Sequence, residues 1–438
     1  LICNATIENC STCPDDCGVC FENIPCGDLI CNATIENCST CPDDCGACIV
    51  PSKCGDLICN ATIENCSTCP DDCGICIENI ILGTSGDDIF QVYNEEVWLN
   101  GIYVNSSANA ALIGNGGNDL FVTVGDGVQK IFGNLNGLDS YWIDSSDLIV
   151  NLTDDELAYN LHKISRYEQP WTDNPDDTDY ISLNSRGEAI RDPNASNGLN
   201  NSLGFKNYTY FSNFPLFFNN TPEYTDIMQG MVGDCWLMGT LASISYKNPK
   251  IIKQSIVGIG DGNYIVRLYY RQKLYSNDNA EKVLYYKVDA DLPIMRGIGE
   301  LIYAKLGNSE KKSAIKIGKA GALWVPLIEK AYAHVRVNRF SKNSYSSLQG
   351  GLPSEVYLSI ANISNTKTFN VFHVNINESA LYDNLNKIVN INNSATSALT
   401  RMVGNLSRHI LASGHVYSLL NVSIENSVTY LDLYNSWG

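Results

Sequence analysis

The chain has 438 residues, a formal net charge of −19 and 18 cysteines. An acidic balance this strong argues against nucleic acid or an anionic membrane surface as the main partner, because both attract basic faces. No apolar run approaches the ~20 residues that a membrane-spanning helix needs, so we expect no transmembrane segment. The length is sufficient for two or three domains.

Residues 1–79 contain a repeat that carries all but one of the cysteines. The run Leu-Ile-Cys-Asn-Ala-Thr begins at Leu1, Leu29 and Leu57, and a Cys-Gly-Asp leader precedes the two later copies. The first copy lacks this leader, so we expect a further cysteine upstream of Leu1 and a truncated N-terminus. Each repeat has few large apolar side chains, so cross-links must replace a hydrophobic core.

Two kinds of cross-link fit the repeats. The Cys-x-x-Cys pairs that begin at Cys38 and Cys45 have the spacing of zinc sites. The even cysteine count of a complete unit, the lack of histidine and the Asn-x-Thr sequons at Asn4, Asn32 and Asn60 favour disulfides in an exported chain. The sequence therefore predicts a disulfide-rich stalk and an extracellular or cell-surface location, and it leaves the disulfide pairing open.

Residues 80–150 alternate short apolar runs with Gly, Asn and Asp, which predicts a small β-rich domain with tight turns. The pattern Gly-x-Asp-x-aromatic recurs around Asp88, Asp119 and Asp139. It resembles the calcium-binding repeats of RTX-type β-rolls, which implies Ca²⁺ at these three aspartates and an apolar residue facing the interior of the roll. The spacing departs from the nine-residue period of such rolls, so an ordinary β-domain with glycine turns stays the alternative. Residues 151–204 have few apolar positions and are predicted to be a connector.

Cys235 is the only cysteine outside the repeats, and it begins a segment with helical apolar spacing that Asn248-Pro249 should end. A helix N-terminus favours a thiolate and can lower the pKa of a cysteine. We expect the Asp234 side chain to cap this helix and Gly230 and Gly233 to leave room for a substrate backbone. Gln229 is placed to join the Cys235 N–H as an oxyanion donor.

Two downstream motifs supply the other members of a nucleophile, base and orienter set. His415 stands in Gly-His-Val-Tyr-Ser before a strand-like run, and Asn435 stands in Asn-Ser-Trp-Gly. The other four histidines lack such a context and are predicted to be structural or exposed.

The segment Gln-Gly-x-x-Gly-Asp-Cys-Trp at 229–236 resembles the catalytic-cysteine motif of the calpain family. Residues 323–333, Leu-Trp-Val-Pro-Leu-Ile-Glu-Lys-Ala-Tyr-Ala, and Gly350-Gly351 resemble its segment between two catalytic subdomains, and His415 and Asn435 match its histidine and asparagine motifs. The family usually has proline where this chain has Ser436. The resemblance covers residues 205–438 and implies an α+β, papain-like catalytic domain of the calpain type within a multidomain chain.

The resemblance implies a cysteine endopeptidase that cleaves protein or peptide substrates. Cys235 would be the nucleophile, His415 the base, Asn435 the orienting amide and Gln229 the oxyanion donor. Calcium dependence of catalysis stays open. Two alternatives remain, a surface adhesion protein without activity and a papain-like or transglutaminase-like acyl-transfer enzyme.

Overall fold

The computed structural model describes Cys69 and residues 79–107, 110–133, 136–168, 190, 192–195, 205–270, 282–295, 299–307, 321–336, 344–368, 377–400 and 411–437. The predicted stalk, its disulfides and the upstream cysteine therefore lie outside the described residues, apart from Cys69. Residues 78–438 form one compact unit. Among the described residues, no helix is long and apolar enough to cross a membrane.

The N-terminal part of this unit is a β-solenoid (79–163), in which the chain alternates between two sheets. The first sheet has four parallel strands, β1 (Asn79–Leu82), β5 (Ala110–Ile113), β7 (Lys130–Phe132) and β9 (Leu148–Val150). The second has the order β10-β8-β6-β2-β3-β4, with β2 (Ile89–Tyr93), β3 (Glu96–Leu99), β4 (Ile102–Ser106), β6 (Leu120–Val122), β8 (Ser140–Ile143) and β10 (Leu161–Lys163). Helix α1 (Asp154–Tyr159) and β10 fall in the segment predicted as a connector and continue the solenoid, since β10 pairs with β8.

Aromatic rings stack along the interior of the solenoid. The ring centroids of Phe90 and Phe121 lie 4.8 Å apart, and those of Phe121 and Tyr141 lie 5.4 Å apart. All three side chains are fully buried. The aromatic position of the Gly-x-Asp-x-aromatic pattern therefore faces the interior, where stacked rings add to the hydrophobic gain.

The aspartates of the same pattern form a ladder from one coil to the next. The backbone N–H of Asp88 donates to Asp119 Oδ1 and that of Asp119 donates to Asp139 Oδ1, each at 2.9 Å. The Asp139 N–H donates to Glu156 Oε1 at 2.8 Å. The coil between Asp119 and Asp139 takes 20 residues, and the step of 31 from Asp88 to Asp119 also contains the β3–β4 hairpin.

Calcium at Asp88, Asp119 and Asp139 stays a prediction. Their carboxylates are buried: those of Asp119 and Asp139 accept the N–H groups of a neighbouring coil, and that of Asp88 accepts from the Thr84 N–H and the Asn100 side-chain amide. Among the described residues, no group of three His, Cys, Asp or Glu side chains is arranged to hold a metal ion. The ladder by itself accounts for the position of each aspartate, because buried N–H groups require an acceptor.

The C-terminal part (205–437) is a mixed α and β structure with a central apolar core. Its strands are β11 (Phe205–Tyr210), β12 (Ile256–Gly258), β13 (Asn263–Tyr270), β14 (Lys282–Asp289), β15 (Asp291–Met295), β16 (Ser397–Leu399), β17 (Val416–Glu425) and β18 (Val428–Tyr434). Its helices are α2 (Cys235–Lys247), α3 (Pro249–Lys253), α4 (Trp324–Val335), α5 (Pro353–Ala361) and α6 (Glu378–Asn386). Three antiparallel sheets, β11-β15, β12-β13-β14 and β16-β17-β18, surround α2 and α4.

The β-solenoid packs on the sheet β12-β13-β14 through a shared apolar cluster. The cluster joins side chains of the solenoid and of the segment directly after it to side chains of the C-terminal part. Its members are Val122, Val124, Trp142, Ile164, Tyr167, Val257 and Ile265. His162 stacks on Trp142 with centroids 4.0 Å apart, and its Nε2 lies 2.7 Å from Gln254 Oε1. Gln91 Nε2 also donates to the Gly258 carbonyl at 2.9 Å. The two parts therefore share a core, and His162 is a buried member of their interface.

We expect Asp119→Ala to destabilise the β-solenoid, because the buried Asp88 N–H loses its acceptor, at a cost of about 1–3 kcal/mol. Asp119→Asn keeps an acceptor oxygen and should cost less. Thermal unfolding of both variants measures the difference, and equal melting temperatures would contradict the ladder. Repeating the melts with and without Ca²⁺ tests the calcium prediction: a Ca²⁺-induced rise in the wild type that Asp119→Asn abolishes supports a site.

Protonation of His162 should weaken the interface at acid pH. Burial, with a further contribution from Arg267, lowers the pKa of His162 to about 3, whereas an unfolded histidine titrates near ~6.5. The unfolded state therefore binds the proton first, and stability is lost as pH falls from about 6.5 towards 3, at up to ~1.4 kcal/mol per pH unit.

His162→Gln keeps an N–H donor for Gln254 and removes the titration. Unfolding free energies of the wild type and the variant, measured over this pH range, should converge as the pH falls. Parallel curves would show that His162 does not control the acid sensitivity.

Candidate active site

Helix α2 begins at Cys235 and carries the candidate nucleophile at its N-terminus. The helix ends at Lys247, with Asn248 as its C-cap and Pro249 starting α3, as the sequence predicts. Its residues from Trp236 to Ser245 are buried, so the helix lies inside the core and fixes the position of its first residue. Cys235 is half-buried and a free thiol.

The predicted cap of this helix is wrong. Asp234 stands at the N-cap position, but its side chain makes no capping hydrogen bond. The carboxyl group is fully buried and turned towards Glu329 of helix α4. Contact with Glu329, which is far along the chain, thus replaces the helix-capping hydrogen bond that the sequence favours.

His415 and Asn435 are brought together by the hairpin of β17 and β18. His415 directly precedes β17, and Asn435 directly follows β18. The His415 Nε2 lies 2.8 Å from Asn435 Oδ1. The ring of Trp437 stacks on the imidazole at a centroid distance of 4.1 Å. The His415 Nδ1 is buried and has no hydrogen-bond partner among the residues that the structure describes, so that this nitrogen is available to accept a proton.

Cys235 meets the same hairpin at Val416, the residue after His415. The backbone N–H of Val416 lies near the sulfur, and Gly239, one turn further along α2, packs on the Val416 carbonyl. The Ser418 hydroxyl donates to the Gly239 carbonyl at 2.5 Å. The start of β17 is therefore fixed against the first turns of α2, next to the nucleophile.

The site favours a neutral thiol and a neutral imidazole in this structure. Burial raises the pKa of the Cys235 thiol, and Asp234 acts in the same direction, while the backbone N–H groups of Val416 and Trp236 lower it. Burial also lowers the pKa of His415, against the effect of its hydrogen bond to Asn435. This differs from the lowered thiol pKa expected from the helix N-terminus, because desolvation outweighs the N–H donors.

Gln229 is held by the Asn435 motif. Its backbone N–H donates to the Ser436 carbonyl at 2.8 Å, and its Oε1 accepts from Ser436 Oγ at 3.1 Å. Its Nε2 donates to the Val232 carbonyl at 2.8 Å. Ser436, which the sequence marks only as a departure from the family pattern, thus connects the orienting asparagine to the candidate oxyanion donor.

The glycines before Cys235 are explained by the chain's own packing. A Cβ at Gly230 would lie 2.0 Å from the Tyr303 carbonyl oxygen, and one at Gly233 would lie 3.0 Å from the Gln349 side chain. The close approach of the Tyr303 backbone therefore requires a glycine at position 230. The sequence suggested a different reason, namely room for a substrate backbone.

Residues 348–351 form one wall beside Cys235 and are fixed from two sides. Trp236 Nε1 donates to the Leu348 carbonyl at 2.9 Å. Arg336 donates to the Gly350 carbonyl at 2.7 Å, and its guanidinium lies 4.4 Å from the centre of the Trp236 ring. A Cβ at Gly351 would lie 2.4 Å from that ring. The wall is therefore held at a fixed distance from the start of α2.

The four predicted catalytic residues thus lie around one centre, formed by the start of α2 and the β17–β18 hairpin. The sequence did not identify Glu329 or Val416 as part of its surroundings. Glu329 lies within the motif at 323–333, but only the fold places it against Asp234. Val416 acts through its backbone N–H, which no residue pattern reveals.

Comparison with known proteins gives the same region a family. Residues 193–438 match the calpain family cysteine protease domain. The calpain-1 catalytic subunit of Macaca fascicularis is 29% identical over 163 residues, which cover 37% of this chain and 19% of the relative. The human protein is 28% identical over the same length, and that of Sus scrofa is 30% identical over 145 residues, or 33% of this chain and 17% of the relative. The match thus spans about a fifth of each of these relatives, and by its domain the chain belongs to the calpain family of cysteine proteases.

Proposed function

We propose that the chain is a cysteine endopeptidase that hydrolyses peptide bonds of protein substrates. The observation that carries this proposal is the His415–Asn435 hydrogen bond beside the start of α2. Within the described part of the chain, it leaves the second ring nitrogen without a partner, next to the strand that contacts Cys235. A thiol, a base and an amide that orients the base are the components of nucleophilic acyl chemistry.

In this mechanism His415 Nδ1 takes the proton of the Cys235 thiol as the sulfur attacks the substrate carbonyl carbon. The carbonyl oxygen gains negative charge, which the Cys235 backbone N–H and the Gln229 amide would stabilise. The imidazolium then gives its proton to the leaving amine, and a thioester remains. Water, deprotonated by His415, hydrolyses the thioester and restores the thiol.

The neutral resting pair fits this order of events. The proton moves only when attack on the carbonyl begins, because burial disfavours the thiolate–imidazolium ion pair in the free site. A thiol that rests protonated is also less exposed to oxidation, since thiolate character governs that reaction. This would suit the extracellular or cell-surface location that the cysteine repeats and sequons favour. Whether catalysis depends on Ca²⁺ is left open by this proposal, and the experiment below is therefore done with and without Ca²⁺.

Labelling by an epoxide that alkylates active-site thiols, read by intact mass and peptide mapping, tests the proposed nucleophile. We expect stoichiometric modification at Cys235 and cleavage of an unfolded protein substrate, both measured with and without Ca²⁺. Cys235→Ala should abolish labelling and cleavage, and His415→Ala should lower cleavage by at least ~10²-fold.

The controls separate the alternatives. A wild-type chain with a reduced Cys235 that neither labels nor cleaves in either condition would contradict the proposal and favour an inactive adhesion protein. Transfer of an acyl group to added amines without net hydrolysis would indicate an acyl-transfer enzyme.

Ser436→Ala should reduce kcat more than it changes KM. It removes the hydroxyl that holds Gln229 Oε1, and a lost hydrogen bond of about 0.5–1.5 kcal/mol corresponds to a roughly twofold to thirteenfold lower rate. A double-mutant cycle with Gln229→Ala is the control, because the effect of Ser436→Ala should disappear when Gln229 is absent. Additive losses would show that Ser436 acts independently of Gln229.

A further inference from the structure

Two buried carboxyl groups face one another directly behind the candidate nucleophile. Asp234 precedes Cys235 and is 0% exposed, and Glu329 of helix α4 is 1% exposed. Neither oxygen of Asp234 accepts a hydrogen bond from an N–H or O–H group of the described residues, and the same holds for Glu329 Oε1. Their side chains lie within hydrogen-bonding reach of each other.

Two ionised carboxylates in this arrangement would have no donor between them. They would repel at close range and lose their hydration, and both effects are expensive in a dry core. A single proton changes this, because the protonated carboxyl donates to the other one. The arrangement of the two carboxyl groups therefore calls for one shared proton. It does not determine which of the two carboxyl groups carries that proton.

The groups around the pair do not remove this requirement. Glu329 Oε2 accepts the Ala304 N–H at 2.9 Å, and Lys305 contributes some positive charge near it. Tyr303 and Tyr345 also face Glu329, and their phenols are held neutral by burial. On the other side, the Gln229 amide and the Asp234 backbone N–H lie near the Asp234 carboxyl group and lower its pKa, against the larger effect of burial, and the Cys235 thiol lies beside it. Among the described residues, no cation bonds to the facing oxygens.

We propose that Asp234 and Glu329 form a proton-sharing carboxyl pair that positions the start of helix α2 and sets the negative charge beside Cys235. Both are positioning residues, since neither needs to touch a substrate. The proposal rests on the proposed function for its catalytic consequence only; the shared proton itself does not depend on activity. Burial raises the pKa of both carboxyl groups, and their mutual repulsion adds to the effect at Glu329.

The pair has a consequence for the thiol. A negative charge on Asp234 raises the pKa of Cys235. When the pair takes up a second proton at lower pH, that charge is removed and the thiolate becomes easier to form. The pair therefore opposes the ordinary loss of thiolate on acidification and should flatten the response of Cys235 to pH.

The first test uses stability, which needs no peptidase activity. A carboxyl whose folded pKa is raised contributes stability that is present below its unfolded pKa of about 4 and is lost as pH rises through the folded pKa. In Glu329→Gln the amide donates to Asp234 at every pH. We therefore expect the wild-type melting temperature, relative to this variant, to fall between about pH 5 and pH 8.

Glu156→Gln is the matched control. Glu156 is equally buried, but its oxygens accept from the N–H groups of Asp139 and Thr153. An amide there places an NH₂ group against N–H donors and should destabilise at every pH, whereas Glu329→Gln should be tolerated at neutral pH. If Glu329→Gln lowers the melting temperature as much as Glu156→Gln, with no dependence on pH, the shared proton is excluded.

An infrared difference spectrum between the wild type and Glu329→Gln supplies the direct signature. A carbonyl band of a protonated carboxylic acid should appear at neutral pH in the wild type alone. Absence of this band from folded wild-type protein would overturn the proposal, whatever the stability data.

The second test measures the thiol through the rate of Cys235 alkylation by iodoacetamide as a function of pH. Asp234→Asn should shift the alkylation profile towards lower pH, and Glu329→Gln should keep the wild-type rate at alkaline pH but lose reactivity more steeply on acidification. Identical profiles in all three proteins would show that the pair does not act on the nucleophile. If the wild type shows no proteolysis while these shifts are observed, the proposed function is contradicted and the carboxyl pair is still supported.

Discussion

Burial of helix α4 is the constraint on which the catalytic part depends. From Trp324 to His334 every residue of this helix is buried, although it carries Glu329 and Lys330 side by side. Lys330 Nζ pairs with Asp289 Oδ1 at 2.6 Å and with Asp192 Oδ1 at 2.5 Å, while Glu329 lies against Asp234. Since buried polar and charged groups need partners, these two residues fix the rotation of the helix and tie it both to the end of β14 and to Asp234, next to Cys235.

The β-solenoid joins the C-terminal part through an apolar cluster of its own instead of forming a separate body. Trp142, His162 and Tyr285 pack together where the solenoid meets β14, and Gln254 accepts from Ser140 at 3.0 Å as well as pairing with His162. Because buried polar groups need hydrogen-bond partners, these hydrogen bonds fix how the solenoid and the sheet are aligned, in addition to holding them in contact. The sheet that supports the catalytic domain is thus covered on one side by the solenoid.

Sequence reasoning succeeded where the signal is local. The start and end of α2 follow from Cys235 and Asn248-Pro249, and the strand after His415 follows from its apolar run. It failed where the partner is distant: Asp234 was expected to cap the helix, yet Glu329 takes that side chain. The solenoid was anticipated only as a resemblance to β-rolls, and its strand pairing was not predicted, because strands of three to five residues such as β6 and β2 pair with strands a whole coil away.

The chemistry of the site is a balance between burial and hydrogen bonding. Burial disfavours charge on both Cys235 and His415, and the Asp234 side adds a negative charge where a thiolate must form. The groups that oppose this are backbone N–H donors at the start of α2 and β17, which are fixed by packing and need no reorganisation. In the proposed mechanism the negative charge forms on the substrate carbonyl oxygen as the sulfur attacks, so reactivity at Cys235 would be coupled to substrate binding.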